Sequence, residues 1–183
     1  IDRTLDKSGR SDEVAIVGIS KEKLKDGVSP GLSIHEVVPL KEVITTPNGE
    51  TVLDFGQNFA GWLAFDADFP AGTEVHFYNE NYGTATAGFR YISNGEAETV
   101  HPHFTYFGFR YVRVTGWPAD KEIAVRGLAI YSDMTRTGII ETGNAKVNQL
   151  YSNSLWGLKS NFLDMPTDCP QRAERLGWTG DAQ

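Results

Sequence analysis

The sequence contains few of the residues that build disulfide frameworks and metal clusters. Its 183 residues include one cysteine, Cys169, and four histidines. An internal disulfide and a cysteine-ligated metal cluster are therefore excluded. No apolar run is long enough to span a bilayer. Lys and Arg are scattered in a chain of net charge −7, which is atypical of a nucleic-acid or anionic-membrane surface. We expect a neutral partner, with no nucleic acid, no membrane, no metal and no organic cofactor.

The patterns that are present predict a mainly β fold for most of the chain. With 40% hydrophobic residues the chain can bury a core. Short segments with period-two alternation or β-branched enrichment, separated by Gly- and Pro-containing turns, continue to about residue 131. The predicted strands are 13–19, 33–38, 51–55, 61–69, 74–78, 88–92, 104–115 and 123–131. Their spacing is typical of an antiparallel β-sandwich or jelly roll.

The strand around residues 106–114 is expected to lie in the centre of a sheet. Bulky side chains occupy both of its faces, as in strands covered on both sides. Aromatic rings in residues 104–111 could bind a sugar, but with bulk on both faces we expect them to pack in the core.

Near Gly143 the pattern changes to that of a helix. Apolar or small residues recur at intervals of three and four from Val147 to Leu158, with Asn144 as the expected N-cap and an end near Asn161. Pro166 and Pro170 then indicate an extended segment. One amphipathic helix needs partners to cover its apolar face. We therefore predict a linker or upstream tail at 1–28, a β-sandwich at 29–140, and the start of a helical domain at 141–183.

The final segment, DCPQRAERLGWTGDAQ at residues 168–183, concentrates acids, arginines, glycines and a tryptophan. Its prolines and glycines favour an irregular loop that can turn Asp168, Glu174 and Asp181 inward. Such acids can donate a proton to a departing oxygen and accept sugar hydroxyls, as in a glycosidase. From spacing alone, a surface loop with ion pairs from Arg172 and Arg175 is slightly favoured over this functional interpretation.

This segment closely resembles the catalytic-domain motif of bacterial α-L-rhamnosidases of glycoside hydrolase family 78, whose usual form is DCPQRDERLGWTGDAQ. Ala173 replaces an acid in that pattern. The resemblance continues upstream, in order, through DFGQNFAGW at 54–62, PAGT at 70–73, FTYFGFRYVRVTG at 104–116 and NQLY at 148–151. Because ordered matches cover most of the chain from about residue 29, the signal is much stronger than any single motif.

The resemblance implies an inverting enzyme that removes terminal α-L-rhamnosyl groups. Glu174 matches the family's general acid, and Asp168, Arg172, Trp178 and Asp181 match positions that line its rhamnose pocket. The general base of the family lies far downstream in an (α/α)6 barrel. We therefore expect this chain to be a fragment that needs the remainder of the barrel as its partner, and to be inactive alone. Neither a cytoplasmic, a periplasmic nor a secreted location is favoured.

Two other hypotheses remain open at this point. The sandwich could be a non-catalytic carbohydrate-binding module, or a structural domain that supports the barrel. His101 and His103 form an H-x-H pair that could bind a metal, but with four histidines in the whole chain this is the less favoured interpretation. In the DFGQN segment a structural role is expected, with Gly56 adopting a positive φ at a strand end and with Gln57 and Asn58 satisfying backbone groups.

Overall fold

A computed structural model of the chain describes residues 1–4, 18, 20–27, 29–79, 87–172 and 177–180. In chain order the elements are a 3-10 turn (Lys21–Lys23), β1 (Leu32–Pro39), β2 (Glu42–Thr45), β3 (Thr51–Ala67), β4 (Glu74–Asn79), β5 (Ala87–Ile92), β6 (Glu98–Val100), β7 (Phe107–Thr115), β8 (Val125–Ser132), α1 (Ala145–Asn161), β9 (Phe162–Leu163) and β10 (Met165–Pro166). None of the described helices has the length and apolarity needed to cross a membrane.

Strands β1 to β8 form one curled antiparallel sheet. Its main order is β1-β8-β3-β7-β4-β5, and β2 and β6 also pair with β3. The sheet curls because different parts of the long strand β3 have different partners. Residues 51–54 pair with β2 and β7, residues 61–65 with β8, and residues 65–67 with β6. A bulge between Asp54 and Phe59 bends β3 where these partners change. The predicted mainly β antiparallel fold, followed by a helix and a motif loop, is confirmed.

Individual strands agree with the prediction in position more than in extent. Two predicted strands, 51–55 and 61–69, are parts of the single strand β3. Strands β2 and β6, of four and three residues, were not predicted because such short segments show no clear alternation. The predicted strand at 13–19 lies almost entirely outside the described residues.

The core lies between the curled halves of the sheet and is rich in aromatic rings. Its largest fully buried side chains include Phe59, Phe65, Phe77, Tyr91 and Phe109. Many of these rings meet edge to face, for example Phe65 and Tyr91 at a centroid distance of 5.5 Å and an angle of 84°. That geometry stabilises aromatic pairs beyond the effect of the buried area alone.

Strand β7 lies between β3 and β4, which confirms its predicted central position. The expectation that its aromatic residues pack in the core is correct for Phe109, which is 2% exposed. It is wrong for Phe104, which precedes the strand and is fully exposed, and for Tyr111, which is 44% exposed.

Helix α1 begins and ends where the sequence predicts. The side chain of Asn144 accepts a hydrogen bond from the Lys146 backbone N–H at 3.0 Å, and the helix ends at Asn161. It packs against β3 and β8 through its C-terminal half, where Trp156 contacts the core and Ser160 is buried. The predicted apolar face is largely uncovered, since Val147 is 43% exposed and Leu150 is 65% exposed.

Candidate functional site

The candidate site is a loop after β10, whose described residues are 167–172 and 177–180. We call it the motif loop. Between helix α1 and the motif loop, β9 and β10 form a very short hairpin in which Leu163 pairs with Met165. Asp164, with φ of 74°, occupies the turn, and its backbone N–H donates to the Ser132 hydroxyl at 3.0 Å. Asp is one of the few residues that tolerate a left-handed conformation, so this turn attaches the start of the loop to the end of β8.

Asp168 and Arg172 lie together at the beginning of the motif loop. Arg172 Nη2 donates to Asp168 Oδ2 at 2.9 Å, and their side chains are 58% and 37% exposed. An exposed i,i+4 pair of this kind stabilises a fold by about 0–1 kcal/mol. The pair is the ion pair expected of a surface loop, and it also orients two residues that the family resemblance assigns to the sugar pocket.

Cys169 lies beside this pair and is only partly exposed. Its thiol donates to Asp168 Oδ2 at 3.4 Å. Burial, followed by the hydrogen bond to Asp168, raises the pKa of the Cys169 thiol. A thiol with a raised pKa is a poor nucleophile at neutral pH, so Cys169 is not suited to covalent catalysis.

Trp178 closes the motif loop. Its backbone N–H donates to the Pro166 carbonyl at 2.9 Å, which joins the two ends of the loop next to β10. The Trp178 side chain remains 51% exposed. The loop therefore holds Asp168, Arg172 and Trp178 on one short segment and presents the indole at the surface, where a ligand could contact it.

The motif loop also rests on the sheet at Gly108 in β7. A Cβ atom placed on Gly108 would lie 3.0 Å from the backbone of Pro170 and of Gln171. Only a glycine permits this approach without displacing the loop. A glycine within a strand often marks such a contact, so the glycine of the FGFR sequence is the signal for this contact.

Two of the five predicted site residues, Glu174 and Asp181, lie outside the described residues, as do Ala173 and Arg175. Of the other three, Asp168 and Arg172 are in contact, and the Trp178 backbone is hydrogen-bonded to Pro166, two positions before Asp168. The assigned roles of all five stay predictions.

The histidine pair is built into an aromatic stack. His101 stacks on Trp62 with a centroid distance of 5.1 Å and an angle of 13°, and it lies 4.5 Å from His103. His101 Nδ1 is 3.0 Å from the Pro102 carbonyl. Within the described residues, no group of three or more His, Cys, Asp or Glu side chains is arranged to hold a metal.

The described residues form a curled antiparallel sheet followed by one helix and the motif loop, which carries Asp168, Arg172 and Trp178. Residues 44–131 match the family model of the bacterial α-L-rhamnosidase concanavalin-like domain, and residues 135–183 match that of the bacterial α-L-rhamnosidase 6 hairpin glycosidase domain. The chain belongs to the bacterial α-L-rhamnosidases of glycoside hydrolase family 78.

Individual relatives agree with this assignment. An α-L-rhamnosidase of Formosa agariphila is 47% identical over 119 residues, which cover 62% of this chain and 12% of that protein. The crystal structure of native α-L-rhamnosidase from Aspergillus terreus has a TM-score of 0.80 at 38% identity, covering 91% of this chain and 21% of that one. The Streptomyces avermitilis α-L-rhamnosidase complexed with L-rhamnose has a TM-score of 0.77 at 36% identity, covering 85% of this chain and 16% of that one. The chain thus spans a small part of each relative's length.

Proposed function

We propose that the complete protein containing this chain is an inverting α-L-rhamnosidase, and that the motif loop supplies the acid side of its active site. The observation that carries the proposal is the motif loop itself, in which Asp168 pairs with Arg172 and the Trp178 backbone is hydrogen-bonded to Pro166. The relative from Streptomyces avermitilis was crystallised with L-rhamnose, which supports a terminal rhamnosyl group as the substrate.

In this proposal Glu174 protonates the oxygen of the departing group. A general acid must hold its proton near neutral pH, and partial burial together with nearby carboxylates raises a pKa in that direction. Asp168 and Asp181 are proposed to provide these charges and to accept hydrogen bonds from rhamnose hydroxyls. Ala173 stands where the family pattern usually has an acid, and we propose that this change leaves the role of Glu174 intact.

Inversion also requires a base on the opposite face of the sugar, with about 6.5–9.5 Å between the two carboxyl groups to admit a water molecule. We propose that this base comes from a later part of the helical domain, so that the 183-residue chain alone is inactive. The proposed division of the chain remains a tail at 1–28, a β-sandwich at 29–140 and the start of the helical domain at 141–183. The sandwich is proposed to act mainly as a support for the motif loop, through the contact at Gly108.

The complete protein is expected to hydrolyse methyl α-L-rhamnoside, and Glu174→Gln is expected to lower kcat by about 10²–10⁴-fold because it removes the proton donor. The matched control is Glu96→Gln, at an exposed acid in the turn between β5 and β6. The sugar released first, followed by NMR, should be the β anomer. Wild-type turnover in Glu174→Gln would contradict the assignment of the acid, and an α anomer released first would contradict inversion.

A further inference from the structure

Phe104 has two features that are unfavourable for the stability of the folded chain. Its side chain is fully exposed, with a relative accessibility of 107%, and its backbone has φ of 57°. A bulky L-residue in the left-handed region is strained, and burial of the ring does not offset that strain here. Conformations of this kind persist where the surroundings impose them, and they cluster at ligand-binding and active sites.

Phe104 is the outer end of a row of four rings. The row runs from Trp62 through His101 and His103 to Phe104, with successive centroid distances of 5.1, 4.5 and 6.3 Å. We call these four residues the aromatic shelf. Its inner end is fixed, because the Trp62 indole N–H donates to the Thr105 carbonyl and the ring packs on a buried cluster. Because Trp62 is fixed and Thr105 is the neighbour of Phe104 in the chain, the position of Phe104 is also restricted.

The aromatic shelf lies next to the motif loop. The cluster under Trp62 contains Leu163, five positions before Asp168 in the chain. On the other side, the four residues from Phe104 to Gly108 span at most about 14 Å even if extended. Gly108 is the residue on which Pro170 of the motif loop rests. The shelf therefore lies near the beginning of the motif loop, which carries Asp168 and Arg172.

The chemistry of the shelf fits a neutral saccharide. Residues 99–109, TVHPHFTYFGF, contain no Asp, Glu, Lys or Arg, in a chain whose net charge is −7. Ring faces offer apolar contact, and imidazole edges and the exposed Thr105 beside them can form hydrogen bonds. A sugar ring has the same two parts, a C–H face and a rim of hydroxyls. Sites for small ligands combine apolar walls with a few polar groups in this way.

The surroundings of Phe104 do not resemble a face that packs against another protein domain. Its neighbours His103 and Thr105 are exposed and polar, so the outer end of the aromatic shelf is a narrow row of rings with polar edges and not part of a broad apolar patch. Surfaces that recognise proteins are typically contiguous patches of several hundred Å².

We propose that the aromatic shelf binds the sugar to which the terminal rhamnose is attached, with Phe104 stacking on that sugar's ring. This inference rests on the proposed function and adds to it a site for the leaving group. The natural substrate is then a rhamnosyl saccharide, and a rhamnoside with a very small leaving group does not use the shelf.

The test compares two substrates of the complete protein: a disaccharide of rhamnose linked to glucose, and methyl α-L-rhamnoside. Phe104→Ala should lower kcat/KM for the disaccharide about tenfold, mainly through KM, and leave the methyl glycoside within about twofold, since one aromatic contact contributes on this scale. Phe104→Tyr should retain wild-type values. Phe104→Gly should show the same selective loss without a fall in Tm, because glycine adopts this φ without strain.

Equal effects of Phe104→Ala on both substrates, or no effect on either, would overturn the proposal. A fall in Tm of several degrees in Phe104→Ala and Phe104→Gly would also overturn it, since Phe104 would then be packing against the rest of the protein. If the wild-type protein hydrolyses neither substrate, the proposed function fails, and saturation-transfer NMR with the same disaccharide decides on the shelf separately. Binding that Phe104→Ala abolishes would support the shelf, and the absence of binding would overturn it.

Discussion

Asp54 is the residue that organises the bend in β3. Its carboxylate is 4% exposed and accepts two hydrogen bonds from Arg110, from Nε to Oδ1 at 2.8 Å and from Nη2 to Oδ2 at 3.0 Å. The backbone N–H of Gly56 donates to the same carboxylate at 2.7 Å. Because Arg110 is in β7, this pair connects the two central strands where the bulge interrupts their ladder. A bidentate pair also fixes geometry more strictly than a single contact.

These contacts, led by the hydrogen bonds from Arg110, lower the pKa of Asp54 from 3.8 to about 2. A lowered carboxyl pKa contributes stability that is present above the unfolded value and is lost as the pH falls through the folded value. We therefore predict that the wild-type chain loses stability between about pH 4 and pH 2, and that this loss is smaller in Asp54→Asn.

At pH 7 Asp54→Asn should be less stable than wild type by about 1–3 kcal/mol, because Arg110 loses its charged partner. Urea unfolding at a series of pH values measures both effects. The control is Asp26→Asn, at an exposed carboxylate before β1. If the pH profiles of Asp54→Asn and wild type were parallel, the pair with Arg110 would not be the cause of the acid sensitivity.

The DFGQN segment shows what the sequence predicts at the scale of one residue. Gly56 was expected to have a positive φ, and its φ is 77°. It lies within β3 and not at a strand end, however, because the strand continues through the bulge. The partnership of Asp54 with Arg110 was not predicted, since 56 positions separate them and no local pattern encodes such a contact.

At the scale of elements, the helix was predictable and the long strand was not. The bounds of α1 follow from local chemistry, with an N-cap at Asn144 and three- and four-residue spacing to Asn161. The length of strand β3 is set by its partners, because β2, β6, β7 and β8 pair with different parts of it. These pairings are set by the whole fold, which overrides the turn-like composition of DFGQN. The contact of the motif loop with β7 also depends on the whole fold, so the sequence predicted the loop but not this contact.

The seat of the motif loop on β7 leads to a prediction that uses Cys169 as a probe. Gly108→Val places a side chain against the Pro170 and Gln171 backbone, which would lie 3.0 Å from its Cβ, so the loop should move outward. The partly buried Cys169 thiol should then become more exposed, and its rate of labelling by a thiol reagent should rise several-fold.

The control for this experiment is Gly18→Val, since a Cβ at Gly18 meets no heavy atom within 4 Å. Circular dichroism should show that both variants keep their β content. An unchanged labelling rate in folded Gly108→Val would mean that the loop is not held by the glycine contact.

At the scale of the whole molecule, a mixed polar and aromatic cluster joins the sheet to the helix. Lys159 of α1 donates to Glu36 of β1, and the Tyr131 hydroxyl of β8 donates to the same carboxylate at 2.8 Å. The Lys159 ammonium also lies 4.4 Å from the centre of the Trp156 ring. The His35 ring stacks on Tyr131 at 3.9 Å. This cluster links α1 to β1 and β8, in addition to the contact of Trp156 with the core.

The last prediction concerns the strength of this connection. Burial alone would raise the pKa of Glu36, but the hydrogen bonds from Lys159 and Tyr131 outweigh it, and the pKa is lowered. The pair should therefore stabilise the fold above the ordinary carboxyl range and lose this effect in acid, as the pH falls through the lowered value. In a double-mutant cycle of Glu36→Gln and Lys159→Met at pH 7, we expect a coupling of about 1 kcal/mol, since the two groups are partly buried and in contact. The coupling should disappear at low pH. A value at pH 7 below about 0.3 kcal/mol, within the usual additivity of independent sites, would show that packing of Trp156, and not the ion pair, holds the helix on the sheet.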